Sequence, residues 1–112
     1  MAGDFAQAEL ILREIIQLDP QSALAYNNLG IALYEQGKLD EAIASFKTAL
    51  TLPNSQGTPA SSHALAPNGL GLTLQQQGKL QEAISEYKKA IAIDPNFAPV
   101  RQLLQQAEQR LR

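Results

Sequence analysis

The chain has 112 residues, of which 45% are hydrophobic and 18% charged, a composition typical of one globular domain rather than of a disordered segment. Its net charge of −2 argues against a nucleic-acid-binding surface, and the absence of cysteine excludes disulfides and thiolate metal sites. No run of ~18 apolar residues and no secretory signal are visible, so we expect a soluble cytoplasmic protein without membrane insertion.

The first predicted helix lies within residues 3–20. Its apolar residues recur at helical spacing along one face, at Phe5, Ala8, Leu12 and Ile15. Ile11 and Leu18 lie on an adjacent face. The helix ends at Asp19-Pro20 because proline has no N–H to continue the hydrogen-bond ladder.

The next two predicted helices cover residues 22–35 and 39–52, with a break at Gly37. In the second helix the apolar face consists of Tyr26, Leu29 and Leu33. In the third it consists of Ala42, Phe46, Ala49 and Leu50. Both patterns are typical of amphipathic helices that pack against neighbours.

Residues 53–63 read as a loop because they are rich in proline, glycine and serine. The fourth helix is predicted to end near Gln77, with Pro67 in its first turn, where a missing N–H has no cost. A fifth helix covers residues 80–93 and is ended by Asp94-Pro95. The sixth has an apolar face formed by Phe97, Val100, Leu104, Ala107 and Leu111.

An internal repeat underlies this order of helices. The segment Gly-Lys-Leu-Asp-Glu-Ala-Ile at residues 37–43 recurs as Gly-Lys-Leu-Gln-Glu-Ala-Ile at residues 78–84. A divergent copy begins at Gly3, so the three copies start 34 and then 41 residues apart. Repetition at such a period predicts one supersecondary unit stacked on copies of itself.

The repeated residues resemble the tetratricopeptide repeat family, whose unit of roughly 34 residues is a pair of antiparallel helices. One copy supplies Tyr26, Leu29-Gly30, Leu33, Ala42 and Phe46 at the spacing of that family. The next supplies Pro67, Leu70-Gly71, Leu74, Ala83, Tyr87 and Pro95. A half-copy supplies Ala8, Leu12 and Pro20. Gly30, Gly71, Ala42 and Ala83 are small, and we expect them where the paired helices cross most closely.

The resemblance implies an all-α solenoid of antiparallel helix pairs in a single domain spanning residues 1–112. Residues 3–20 would be the second helix of a truncated repeat, and residues 22–54 the next full repeat. An inserted loop at residues 55–63 would precede a further repeat at residues 64–95, and residues 96–112 would form a capping helix.

The family also implies a function, because the first helices of its repeats line a concave groove that binds peptides or helices of partner proteins. By position, the groove residues here are Asn27, Asn28, Ile31, Tyr34, Glu35, Asn68, Leu72, Gln75 and Gln76, with Gln102 and Gln106 extending the surface. Their amides can pair with a peptide main chain. One subfamily clamps acidic C-terminal tails, but its basic positions correspond to Leu65 and Gly69 here, so we do not expect that clamp.

Self-association is the alternative hypothesis. The helix expected before Gly3 is missing from the sequence, which would leave the face of Phe5, Ala8, Leu12 and Ile15 without one of its natural covers. An apolar patch of this kind tends to acquire a partner, and a second copy of the chain could supply it.

Catalysis is not expected. Phosphate-binding glycine loops, nucleophile elbows and histidine-glutamate metal motifs are absent from the sequence. The single histidine, His63, has no cysteine and no convergent carboxylate pair to form a metal or catalytic site. We therefore predict a protein-interaction module or scaffold with no cofactor and no metal, and the sequence does not identify its partner.

Overall fold

The computed structural model describes residues 2–52, 62–95 and 98–111, with the backbone alone at Ala2, Ala98 and residues 62–65. The secondary structure in these ranges is entirely helical. The helices are α1 (Ala2–Leu18), α2 (Ala23–Glu35), α3 (Leu39–Thr51), α4 (Ser62–Gln76), α5 (Leu80–Ile93) and α6 (Ala98–Leu111). The predicted all-α class is confirmed.

Consecutive helices pack against each other from α1 to α6, as in a solenoid. The pairs α2–α3 and α4–α5 have the most extensive contacts. In addition α2 contacts α4 directly, so the first helices of the two pairs lie side by side on one face of the molecule. That face is where the sequence predicts the groove.

The repeated Gly-Lys dipeptide makes the turn inside each pair. Gly37 and Gly78 have φ values of +79° and +82°, in the left-handed region that glycine adopts without strain. The N–H of Lys38 bonds to the carbonyl of Leu33 at 2.9 Å, and that of Lys79 bonds to Leu74 at the same distance. These bonds satisfy carbonyls that the helix end would leave open, which explains why the dipeptide recurs.

The predicted start of the fourth helix is wrong. Because α4 begins at Ser62, Ser62 and His63 belong to the helix and not to the predicted loop. Pro67 lies inside α4 rather than in its first turn, so the helix lacks one internal hydrogen bond there. The rest of that predicted loop, residues 53–61, and Phe97 of the predicted sixth helix lie outside the described residues.

Small residues permit close crossing of the helices, as predicted. The Phe46 ring is 1% exposed and lies against Gly30 of α2, where an added Cβ would come within 2.6 Å of ring atom Cε1. The same ring packs against Gly69 of α4. The fully buried Tyr87 ring lies against Gly71 in the same way. Each aromatic ring therefore occupies space that a glycine leaves free.

Two apolar clusters form the core. The first joins α2, α3 and α4 around Phe46, and Leu12 and Ile16 of α1 pack against it. The second surrounds Tyr87 and includes Val100 and Ala107 of α6, which are both fully buried. Leu104 packs against this second cluster, whereas Leu111, predicted on the same face, is almost half exposed.

The carboxylate of Glu9 connects α1 to the turn between α2 and α3. It accepts hydrogen bonds from Arg13 Nε at 2.9 Å, Gln36 Nε2 at 3.0 Å and Lys38 Nζ at 3.1 Å. Gln36 Nε2 also donates to the carbonyl of Phe5 at 3.3 Å. The hydrogen bonds from Arg13, Lys38 and Gln36 lower the pKa of Glu9 from 4.5 to about 2, against the opposing effect of burial.

This network predicts acid-dependent stability. Because the pKa of Glu9 is depressed in the folded state, its contribution is fully present above about pH 4.5 and is lost as the pH falls toward about 2. Glu9→Gln should lower the free energy of unfolding at pH 7 by only about 1–2 kcal/mol, because Arg13 and Lys38 are partly exposed and solvent screens their interaction with the carboxylate. Urea denaturation at pH 7 and pH 2.5 should show wild type and variant converging at low pH. An equal difference at both pH values would contradict this role of Glu9.

Candidate functional site

A groove runs along the face formed by α2, α4 and α6. Its first part, the apolar slot, has a volume of about 200 Å³ and is lined by Ile31, Tyr34, Glu35, Phe46, Asn68, Gly69 and Leu72. Its second part, the polar recess, has a volume of about 260 Å³ and is lined by Tyr34, Leu72, Gln75, Gln76, Leu103 and Arg110. Tyr34 and Leu72 line both parts, so the slot and the recess adjoin along the groove.

The depth of the slot depends on local sequence. Gly69 has no side chain to fill the space between α2 and α4, so the Phe46 ring of α3 reaches through and forms part of the lining. Ile31 and Leu72 add aliphatic surface from the two neighbouring helices. Asn68 contributes an amide whose Oδ1 is buried without a hydrogen-bond partner among the described residues.

Hydrogen bonds hold the groove side chains in place. Gln76 Nε2 donates to Tyr34 Oη at 3.3 Å, across the gap between α4 and α2. Tyr87 Oη, in the core on α5, donates to Gln75 Oε1 at 2.8 Å. Burial raises the pKa of Tyr87 to about 12, so its hydroxyl stays a donor at neutral pH and fixes the orientation of the Gln75 amide.

The structure brings together most of the side chains that the sequence placed in the groove. Those that line it are Ile31, Tyr34, Glu35, Asn68, Leu72, Gln75 and Gln76. Asn27 differs from the expectation, because it is completely buried and does not present its amide to the groove. Asn28, Gln102 and Gln106 are exposed but line neither the slot nor the recess.

Four groove residues were not predicted. Phe46 and Gly69 line the slot, and Leu103 and Arg110 line the recess. Leu103 and Arg110 are seven residues apart and so lie on nearly the same face of α6, but this spacing does not show which face of α6 meets the groove. Phe46 fitted the pattern of a core residue, and it is one, so its second role as slot lining has no separate signature in the sequence.

The proposed self-association face of α1 is arranged differently from the prediction. Leu12 packs against the first core cluster, and Phe5 and Ala8 are half-buried. Of the four predicted residues only Ile15 is exposed, at 42%. Beside it lie Ile11, which is 53% exposed, and Leu18, which is 87% exposed. The exposed apolar face of α1 is therefore formed by Ile11, Ile15 and Leu18, and Leu10, next to Ile11 in the sequence, is also exposed, at 64%.

A larger cavity of about 420 Å³ is lined by residues of α3, α4 and α5 and shares no residue with the groove. Its charged groups have both signs, including Lys47, Lys79 and Glu82. Asp40 at its edge already accepts a hydrogen bond from Gln77 Nε2 at 2.9 Å. Because the lining combines positive and negative side chains, its charge does not favour ligands of either sign.

Metal-binding and membrane-spanning features are absent from the described ranges. These ranges contain no cluster of three or more histidine, cysteine or acidic residues able to hold a metal ion. Within the same ranges, no helix has the length and hydropathy to cross a membrane.

Comparison with known proteins points to one family. The sequence model of the tetratricopeptide repeat matches residues 21–96, which include α2 to α5 and the intervening residues. No curated protein matches the sequence of the chain.

Solved structures that are similar to this chain include two such repeat domains and MamA. The first such domain of Spaghetti (RPAP3), bound to the HSP90 peptide SRMEEVD, has a TM-score of 0.83 at 20% identity, with 97% of this chain and 81% of that chain covered. The domain of Arabidopsis OM64 has a TM-score of 0.82 at 16% identity, with 96% and 83% covered. MamA has a TM-score of 0.77 at 30% identity, and the match covers 94% of this chain but 54% of MamA.

Proposed function

Because this chain belongs to the tetratricopeptide repeat family, we propose that it is a protein-interaction module that binds a peptide or helix of a partner in the groove of α2, α4 and α6. The observation that carries this proposal is that the apolar slot adjoins the polar recess, with Tyr34 and Leu72 lining both. Together they offer an apolar surface for a side chain and amides for a main chain, which is the combination that peptide recognition uses.

The groove is also built to bind with little rearrangement. Its side chains project from packed helices, and the bonds from Gln76 to Tyr34 and from Tyr87 to Gln75 fix several of them. A preformed site reduces the conformational entropy that binding would otherwise cost.

The likeness to the RPAP3 domain supports the class of function and not the identity of the ligand. That domain is bound to an HSP90 peptide, but at 20% identity the likeness concerns the fold. At the two basic positions of the acidic-tail clamp this chain has Leu65 and Gly69, which carry no charge. We therefore do not extend that clamp to this protein.

Groove binding predicts that Tyr34→Ala weakens partner affinity at least tenfold, because Tyr34 lines both the slot and the recess. The probe is a set of peptides selected from a random display library on the wild-type chain, with affinity measured by fluorescence anisotropy. Tyr26→Ala is the matched control, since Tyr26 lies on the same helix but faces α1 and not the groove. If the peptides bind Tyr34→Ala as tightly as wild type, the groove is not their binding site.

Self-association is the second candidate, and the exposed face of Ile11, Ile15 and Leu18 favours it. We expect a dimer at high concentration that dissociates in the double variant Ile11→Glu/Ile15→Glu, because a carboxylate in an apolar contact is costly to desolvate. Leu50→Glu, at an exposed leucine of α3, is the control and should leave the mass unchanged. Light scattering that reports a monomer at every concentration of wild type would rule out this candidate.

A further inference from the structure

We propose that the ligand of the groove is an extended peptide with two features: a large aliphatic side chain that enters the apolar slot, and an acidic side chain that pairs with Arg110 in the polar recess. This inference rests on the proposed groove function and specifies the chemistry of the partner.

Arg110 is the charged group of the recess. The other recess residues are neutral, namely Tyr34, Leu72, Gln75, Gln76 and Leu103, so no carboxylate of the recess lining neutralises its guanidinium. Among the described residues Arg110 has no ion-pair partner. Its charge nevertheless acts on the recess, because it opposes the rise in the pKa of Tyr87.

A guanidinium in such a setting favours a carboxylate. Its planar fork of N–H donors matches the two oxygens of aspartate or glutamate, and charge-assisted bonds of this kind are stronger than neutral ones. Arg110 is exposed, with Leu72 and Leu103 beside it in the recess lining, so a carboxylate of a ligand can reach its guanidinium directly from solvent. A neutral ligand would leave this cation without a counter-charge in the bound state.

The slot has the opposite character. Its lining includes the Phe46 ring, Ile31 and Leu72, and its one charged residue is Glu35. An acidic ligand group at this end would meet a like charge, whereas an aliphatic group would displace water from apolar surface. Glu35 and Arg110 therefore give the groove a direction, and the acidic group of the ligand belongs at the α6 end.

Arg110 is supplied by the capping helix and not by a repeat helix. On α6 it shares a face with Leu103, seven residues earlier, and Gln106 lies between them at helical spacing. The recess thus requires α6 as well as α4, and the specificity for an acidic group is a property of the C-terminal end of the molecule.

Charge reversal at Arg110 tests the proposal. The probes are peptides selected from a random display library on wild type, which should be enriched in an aliphatic and an acidic residue. Arg110→Glu should bind these peptides at least tenfold more weakly than wild type, and the same library selected on Arg110→Glu should yield lysine or arginine in place of the acid. Arg101→Glu, an equal charge change at an exposed position of α6 outside the groove, should alter affinity less than twofold.

The outcomes separate this inference from the proposed function. If selected peptides lose affinity with Tyr34→Ala but bind Arg110→Glu as tightly as wild type, the groove stands and the acidic preference is wrong. If Tyr34→Ala also binds them normally, or if no peptide is enriched on wild type, the groove function itself fails. Thermal unfolding followed by circular dichroism verifies that each variant is folded. Arg110→Gln removes the charge without reversing it, and its loss of peptide affinity should lie between those of wild type and Arg110→Glu.

Discussion

Replacing Phe46 with alanine is expected to lower the free energy of unfolding by about 3–5 kcal/mol, a large share of the stability of a domain of this size. The ring is 1% exposed and contacts both α2 and α4 from its own helix, α3. Its removal would leave a cavity at the junction of three helices. The residues that face the ring on the two neighbouring helices, Gly30 and Gly69, have no side chains that could move into that cavity.

Urea denaturation followed by circular dichroism measures this effect. Leu50→Ala is the control on the same helix, and it should change stability by less than about 0.5–1 kcal/mol because Leu50 is 39% exposed. A loss below about 1 kcal/mol for Phe46→Ala would contradict the view that this ring holds the helix pairs together.

The parts of the fold that depend on local chemistry could be predicted from the sequence. The α5 bounds, Leu80–Ile93, agree with the prediction because a Gly-Lys turn precedes the helix and Asp94-Pro95 follows it. The close crossings at Gly30 and Gly71 were also predictable, since a glycine within an amphipathic helix pattern usually marks close approach. These signals lie within a few residues of the feature that they specify.

Features that depend on how a helix is rotated against its neighbours could not be predicted. The helical spacing of α1 gives two apolar faces, one with Phe5, Ala8, Leu12 and Ile15 and one with Ile11 and Leu18, and either could meet α2. The structure turns the first toward α2, where Gln36 also bonds to the Phe5 carbonyl. The spacing of residues along α1 does not show which of its faces packs against α2, because that depends on the residues of α2.

Asn27 and Arg110 illustrate the same limit at the candidate site. Asparagine is mostly a surface residue, so the burial of Asn27 contradicts its average behaviour. The sequence pattern places Arg110 on the polar outer side of α6, but the rotation of α6 puts it beside Tyr34 and Gln75. The general preference of proline for a first turn misplaces Pro67, because α4 extends back to Ser62.

The groove and the core share residues, which constrains how this chain can vary. Phe46 stabilises the junction of α2, α3 and α4 and also lines the apolar slot, and Gly69 permits both. A larger residue at position 69 would both fill the slot and displace the Phe46 ring. Changes in ligand preference that preserve stability should therefore arise at Ile31, Leu72 or Arg110, which line the groove and are not part of the fully buried core.

Gly30→Ala is expected to destabilise the protein by about 2–3 kcal/mol, although alanine is the better helix former by about 1 kcal/mol. The new Cβ would lie 2.6 Å from Phe46 Cε1 and 2.7 Å from Cζ, well inside contact distance. The ring cannot easily give way, because Gly69 of α4 packs against the same ring atoms. Overlap with a buried ring should therefore outweigh the gain in helix propensity.

Gly3→Ala is the matched control, since it makes the same change within α1 at a position with no atom within 4 Å of the added Cβ. It should leave stability unchanged or raise it by up to about 1 kcal/mol. In the double variant Gly30→Ala/Phe46→Leu the smaller side chain removes the overlap. The loss in free energy of unfolding should therefore be smaller than the sum of the losses in the two single variants. If Gly30→Ala were as stable as Gly3→Ala in urea denaturation, the ring would have to be far more mobile than its burial between α2 and α4 implies.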